Sequence, residues 1–145
     1  MAESYIVKPS DQTVTSNTIF TNATGLSFTL VANAYYELQW YLHFTSNGGA
    51  AKAIGTFPGS DVLFQSLVTS NSSPGSPQTL GAGGFNITQA FIGSNGGENQ
   101  RSYGRGTITV RNTGGTFNVQ FAQSTSNANA TTLTAGSWIK YTRLK

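Results

Sequence analysis

The chain has 145 residues, of which only 9% are charged and 12% aromatic, with 17 Gly and no Cys. That length suits one domain with a single core, and sparse charge with many aromatics excludes a disordered chain. The absence of cysteine excludes a disulfide framework and thiol chemistry, and the net charge of +3 is uneven, with −3 over residues 1–100 and +6 over residues 101–145.

The opening M-A-E-S-Y-I-V-K-P has no basic run leading into an apolar stretch, so no signal peptide is expected. No apolar run approaches the length needed to cross a bilayer, and the expectation is a soluble chain, complete as it stands. Residues 1–16 differ from the rest. Tyr5-Ile6-Val7 is a short strand-like apolar patch, and Lys8-Pro9-Ser10-Asp11 is a turn signal. Pro9 lacks an N–H and interrupts any continuous ladder. The reading is an N-terminal arm, 1–16, ahead of a domain spanning 17–145. The arm is expected to be disordered alone, with Tyr5, Ile6, Val7 and Lys8 free to add a strand to a neighbour's sheet.

Within the domain, Thr18 to Phe20 begins a strand that the turn Asn22-Ala23-Thr24-Gly25 interrupts. Leu26, Phe28 and Leu30 then alternate with Ser27 and Thr29, the pattern of a half-buried strand. After Asn33-Ala34 comes the stretch that organises the chain, A-Y-Y-E-L-Q-W-Y-L-H-F-T-S from Ala34 to Ser46. Tyr36, Leu38, Trp40, Leu42 and Phe44 fall on one face of a strand and Tyr35, Glu37, Gln39, Tyr41 and His43 on the other. Two large rings on the second face predict that this face is also covered, by another copy of the protein. Tyr35, Tyr41 and His43 are therefore the candidate subunit interface.

Asn47-Gly48-Gly49 suits positive φ, and Ala51 to Phe57 reads as the hairpin partner of the central strand. Val62 to Val68 is a further strand, Thr69 to Gly84 a turn-rich loop, Phe85 to Ile92 a strand and Gly93 to Gln100 a second loop. Thr107 to Arg111 and Thr116 to Ala122 alternate on either side of Asn112-Thr113-Gly114-Gly115, which reads as a β-hairpin. Trp138 to Leu144 closes the chain. About eight strands, with no helical stripe, predict an all-β fold, an antiparallel two-sheet jelly-roll sandwich with an extended N-terminal arm.

The +6 of the final third comes from Arg101, Arg105, Arg111, Lys140, Arg143 and Lys145 with no acid among them. These residues are candidates for electrostatic contact with an acidic partner, and nucleic acid would also suit a basic face. They are spaced out rather than run together, which favours outward strand positions kept for solubility.

Catalytic constellations are weak. His43 is the single imidazole, and a Ser-His-Asp arrangement would have to be built on it. Glu37 and His43 share a face but lie six residues, about 20 Å, apart, too far to hold one metal. Nothing brings Glu37, Asp61 or Glu98 together as the acid pair of a glycoside hydrolase. Gly81-Ala82-Gly83-Gly84 and Gly104-Arg105-Gly106 lack the strand–loop–helix context of a phosphate loop. The expectation is no enzyme, no metal and no cofactor.

Two stretches, T-G-L-S-F-T-L-V-A-N-A-Y-Y-E-L-Q-W-Y-L-H-F (Thr24 to Phe44) and Gly115 to Leu144, resemble small jelly-roll proteins of tailed-phage virions. These are related in shape to trimeric tumour-necrosis-factor-like proteins, and serve as head decoration (cement) proteins or as knobs ending tail fibres. No long repetitive shaft is present, and the arm resembles the extensions by which cement proteins grip their neighbours. The resemblance implies a homotrimer on the outer surface of a bacteriophage head, made in the host cytoplasm. Its partners would be the major capsid protein and neighbouring decoration subunits, with no nucleic acid or membrane. A knob that recognises a host glycan or protein is the alternative.

Overall fold

The computed structural model describes residues 2–56, 62–71, 77–80, 89–91 and 98–145, the strands between 62 and 100 by their backbone. Among these residues there is no helix. The strands are β1 (Glu3–Val7), β2 (Gln12–Val14), β3 (Thr21–Leu30), β4 (Tyr35–Ser46), β5 (Ala51–Thr56), β6 (Val62–Asn71), β7 (Pro77–Leu80), β8 (Gln89–Phe91), β9 (Glu98–Val110), β10 (Gly115–Gln123), β11 (Thr131–Leu133) and β12 (Trp138–Arg143).

They make two antiparallel sheets. The larger has eight strands in the order β1-β12-β4-β9-β6-β7, with β11 beside the end of β4 and β2 beside β11. The smaller runs β3-β10-β5-β8. With β2, β6, β7 and β11 set aside as additions, the remaining eight strands read 1-8-3-6 in one sheet and 2-7-4-5 in the other. That order is a jelly roll, as the strand pattern predicts. The chain changes sheet repeatedly, among other places between β3 and β4, between β4 and β5, and between β9 and β10.

β4 is the spine of the larger sheet. Its twelve residues alternate between half-buried and buried without a break, so Tyr36, Leu38, Trp40, Leu42 and Phe44 face the core as the sequence predicts. Phe28, Leu26, Leu30, Phe117, Val119 and Phe121 answer from the smaller sheet, and Tyr141 stacks on Phe28 at 4.0 Å between centroids. Trp40 fits because its register partner on β9 is Gly104. A Cβ at 104 would lie 2.1 Å from Cζ2 of the indole, and the indole Nε1 donates to Ser102 Oγ at 3.1 Å.

Three sequence expectations are corrected. The segments 107–111 and 116–122 do not form a hairpin: β9 pairs β4 and β6, whereas β10 pairs β3 and β5 across the sandwich. Asn112 to Gly114 is a crossing between sheets, seated on the 30–34 turn through the Asn33 N–H to Arg111 O bond. Ala51 to Thr56 likewise leaves β4 for the smaller sheet, after Gly48 and Gly49 turn the chain at φ 123° and 79°.

The third correction concerns the arm. Residues 3–7 form β1, in unbroken antiparallel register with β12, and residues 12–14 pair β11. Between them Lys8 is 1% exposed. Its Nζ donates to Gln12 Oε1 at 2.9 Å and to Thr24 O at 3.0 Å, while Gln12 Oε1 also accepts from Thr24 N–H and Gln12 Nε2 donates to Asn22 O. Lys8 and Gln12 thus satisfy backbone groups along β3. Asp11 Oδ1 accepts from Ala135 N–H at 2.7 Å. The first 16 residues are part of the sandwich, because Pro9 falls in the turn between two strands rather than inside one. The expected loops at 69–84 and 93–100 lie mostly outside the described residues, apart from their strand positions in β6, β7 and β9.

Candidate functional site: the outer face of the larger sheet

The outward residues of β1, β12, β4 and β9 make rows across the sheet, because antiparallel register sets partners side by side. One row is Val7, Trp138, Tyr41 and Tyr103. The next is Tyr5, Lys140, Gln39 and Arg105, and the one beyond is Glu3, Thr142, Glu37 and Thr107. Trp138 is the hub of the aromatic row. Its ring centroid lies 6.3 Å from that of Tyr41, nearly parallel at 20°, and 6.3 Å from that of Tyr5 at 56°. Tyr5 is 60% exposed, Val7 55% and Tyr103 45%, so large apolar surface stays in water from the β1 edge inward to β9.

Ion pairs flank this row. Lys140 Nζ lies 2.6 Å from Glu3 Oε1 and 5.6 Å from the Tyr5 ring centroid, and the bond to Glu3 holds the ammonium above its usual pKa. Arg105 Nη2 meets Glu37 Oε1 at 3.1 Å. Two of the six basic candidates are therefore engaged within the chain. Arg101 lies opposite His43 in the register and is exposed. Arg111 and Lys145 line a shallow cleft of about 380 Å³ with Tyr35 and Asn33 at the start of β4. Arg143 is exposed, with its Nε donating to Lys145 O.

The three interface candidates on β4 differ in setting. Tyr41 is half covered by Trp138, and Tyr35 sits at the far end of the strand in the cleft. His43 turns towards the β11–β12 turn. Its Nδ1 meets Thr134 Oγ1 at 2.9 Å, and its backbone N–H donates to Ser137 Oγ at 3.1 Å. Thr134 Oγ1 also donates to His43 O at 3.3 Å. The ring Nε2 is buried and without a partner. His43 is a wedge under the turn rather than a surface group.

Of the arm candidates, Tyr5 and Val7 reach this face, Ile6 packs against the core and Lys8 is buried. The reading of residue types missed Trp138 and Tyr103. Trp138 alternates with Lys140, a signal that marks the outward face once its strand is placed. Tyr103 had no such signal, because Gly104 and Gly106 around it mimic a turn. Among the described residues no three His, Cys, Asp or Glu side chains converge to hold a metal ion.

No protein-family model matches the chain, and no curated protein matches it. Among solved structures, the chain is similar to a family two carbohydrate esterase from Cellvibrio japonicus, at 11% identity over 94% of this chain and 35% of that one, TM-score 0.29. It is also similar to infectious bursal disease virus Gt strain, at 7% identity over 99% of this chain and 38% of that one, TM-score 0.22. The Gx strain of that virus gives 11% identity, 98% and 40% coverage, and TM-score 0.24. The chain spans two fifths or less of the length of each. At these scores neither likeness bears on function.

Proposed function

We propose that this protein is a homotrimeric bacteriophage decoration protein that binds the outside of the capsid and reinforces the head. The observation that carries the reading is the row Val7–Trp138–Tyr41–Tyr103. A face that keeps two tyrosines, a tryptophan and a valine together, two of them exposed and two half covered, is suited to burial against protein. The jelly-roll order agrees with the virion proteins that the sequence resembles. Trimerisation makes each further capsid contact effectively intramolecular, so weak single contacts add up to tight binding. A receptor-binding knob shares the fold and the trimer and is the second reading.

The two separate by partner. Purified protein mixed with undecorated heads is expected to sediment with them, and Tyr41→Asp protein to stay in the supernatant. Protein that ignores heads and adsorbs to host cells would overturn decoration in favour of the knob.

A further inference from the structure

The two sheet edges on the arm side of the sandwich are treated differently. On the smaller sheet, β3 pairs only β10, and backbone groups of Asn22 and Thr24 are occupied by the side chains of Gln12 and Lys8. That edge is guarded. On the larger sheet, β1 pairs only β12.

The phase of the β1 ladder follows from the two bonds at Lys8. Lys8 N–H donates to Ser137 O at 2.7 Å and Lys8 O accepts from Gly136 N–H at 3.0 Å, so both backbone groups of Lys8 turn towards the chain that leads into β12. Bonded and non-bonded pairs alternate in an antiparallel ladder, so Ile6 and Ser4 bond to β12. Glu3, Tyr5 and Val7 therefore turn their N–H and C=O groups outward. The register of β1 has no bulge, and the strand has no proline or lysine. Of the devices that usually blunt an edge it has only its shortness and one charge, Glu3, which Lys140 neutralises.

We propose that this edge docks β1 of a second copy of the chain, antiparallel about a two-fold axis at Tyr5. The occupant follows from self-complementarity. A two-fold at Tyr5 sets Tyr5 against Tyr5 and Glu3 against Val7, so all three outward-turned residues meet outward-turned partners. The two Glu3 carboxylates fall at opposite ends of the ribbon, about 13 Å apart at roughly 3.3 Å per residue, and each keeps its own Lys140. A Tyr–Tyr cross-strand pair adds to the ladder, and the pairing covers Tyr5 and Val7 at their exposed edge. Such a contact goes beyond the threefold assembly: it would join one trimer to the next.

The absence of cysteine makes the contact directly testable. Residues facing each other in a bonded pair have Cα atoms about 5.5 Å apart, within disulfide reach. Tyr5→Cys protein under mild oxidation should run as a linked pair of chains on a non-reducing gel. Ser4→Cys, whose partner across the two-fold is Ile6, should not. Tyr5→Pro removes an N–H that faces away from β12 and so leaves the chain's own ladder intact. Its mass by light scattering should halve, from six chains to three, or from two to one if the threefold reading is wrong. Equal cross-linking of Ser4→Cys and Tyr5→Cys, no cross-linking of either, or an unchanged mass for Tyr5→Pro would overturn the edge contact. The cysteine result decides independently of any effect of proline on folding.

Discussion

At Gly104 the core tolerates nothing larger than hydrogen, because the Trp40 indole fills the space where a Cβ would stand. Gly104→Ala forces either the ring or β9 to move, and overpacking of this kind costs about 1–3 kcal/mol. Urea unfolding should show that loss as a lower midpoint with an unchanged slope. Lys8 makes a different prediction. Burial holds its ammonium below the usual lysine pKa, with Asp11 partly opposing the shift. The unfolded chain therefore binds more protons in the window between the lowered value and the usual one, and this residue's contribution makes stability rise with pH there. Lys8→Met should flatten that rise relative to the parent protein in alkaline unfolding titrations. The inward face of β4 was legible from alternation alone, since five large apolar residues at period two permit one orientation. Lys8 was not legible. A lysine beside a proline reads as solvent-facing, and the groups that satisfy it, Gln12 and Thr24 O, become neighbours only when β3 is in place.

Strand positions were easier to read than strand partners. Asn112 to Gly115 has the turn residues of a hairpin, yet it carries the chain from one sheet to the other. Turn chemistry is local and serves either path; what decides is whether the two flanking strands bury the same face in one layer or in opposing layers. The short stretch 107–111 also hid the length of β9, which continues back to Glu98 through Gly106 and through Gly104, where Trp40 leaves no room for a side chain. The end of the sandwich is fastened by Gln123, 0% exposed, a residue whose composition gives no hint of its role. Its Oε1 accepts from Asn17 and Asn127 N–H groups, both at 3.1 Å, and its Nε2 donates to Asn129 O at 2.8 Å. Gln123→Leu strands those backbone groups and should cost about 2–3 kcal/mol in the same assay. The arm gives the strongest test at this scale. Sequence alone makes residues 2–12 dispensable for folding; their pairing with β12 and their cover of β3 make them structural. Deleting them should lower the melting temperature sharply, and an unchanged melt would return the arm to a frayed end.

For the molecule as a whole, the jelly-roll order and the alternation of β4 support one picture, in which the larger sheet buries one face in its own core and turns the other, with its aromatic row, outward. The prediction of a covered second face came from Tyr35 and Tyr41; the geometry moves the weight to Trp138, Tyr41 and Tyr103, with Tyr35 off in the cleft beside Arg111 and Lys145. Salt should weaken capsid attachment if exposed cations such as Arg101 and Arg143 meet an acidic surface, and should leave it unchanged if the contact is apolar. The most direct test is the mass of the Tyr5→Pro protein, whose edges cannot pair, measured by light scattering with and without Tyr41→Asp. Three times the 15.3 kDa chain mass, falling to one chain mass when Tyr41→Asp is added with the β signal retained, is the predicted result. A single chain mass at micromolar concentration before that change would contradict assembly through this face.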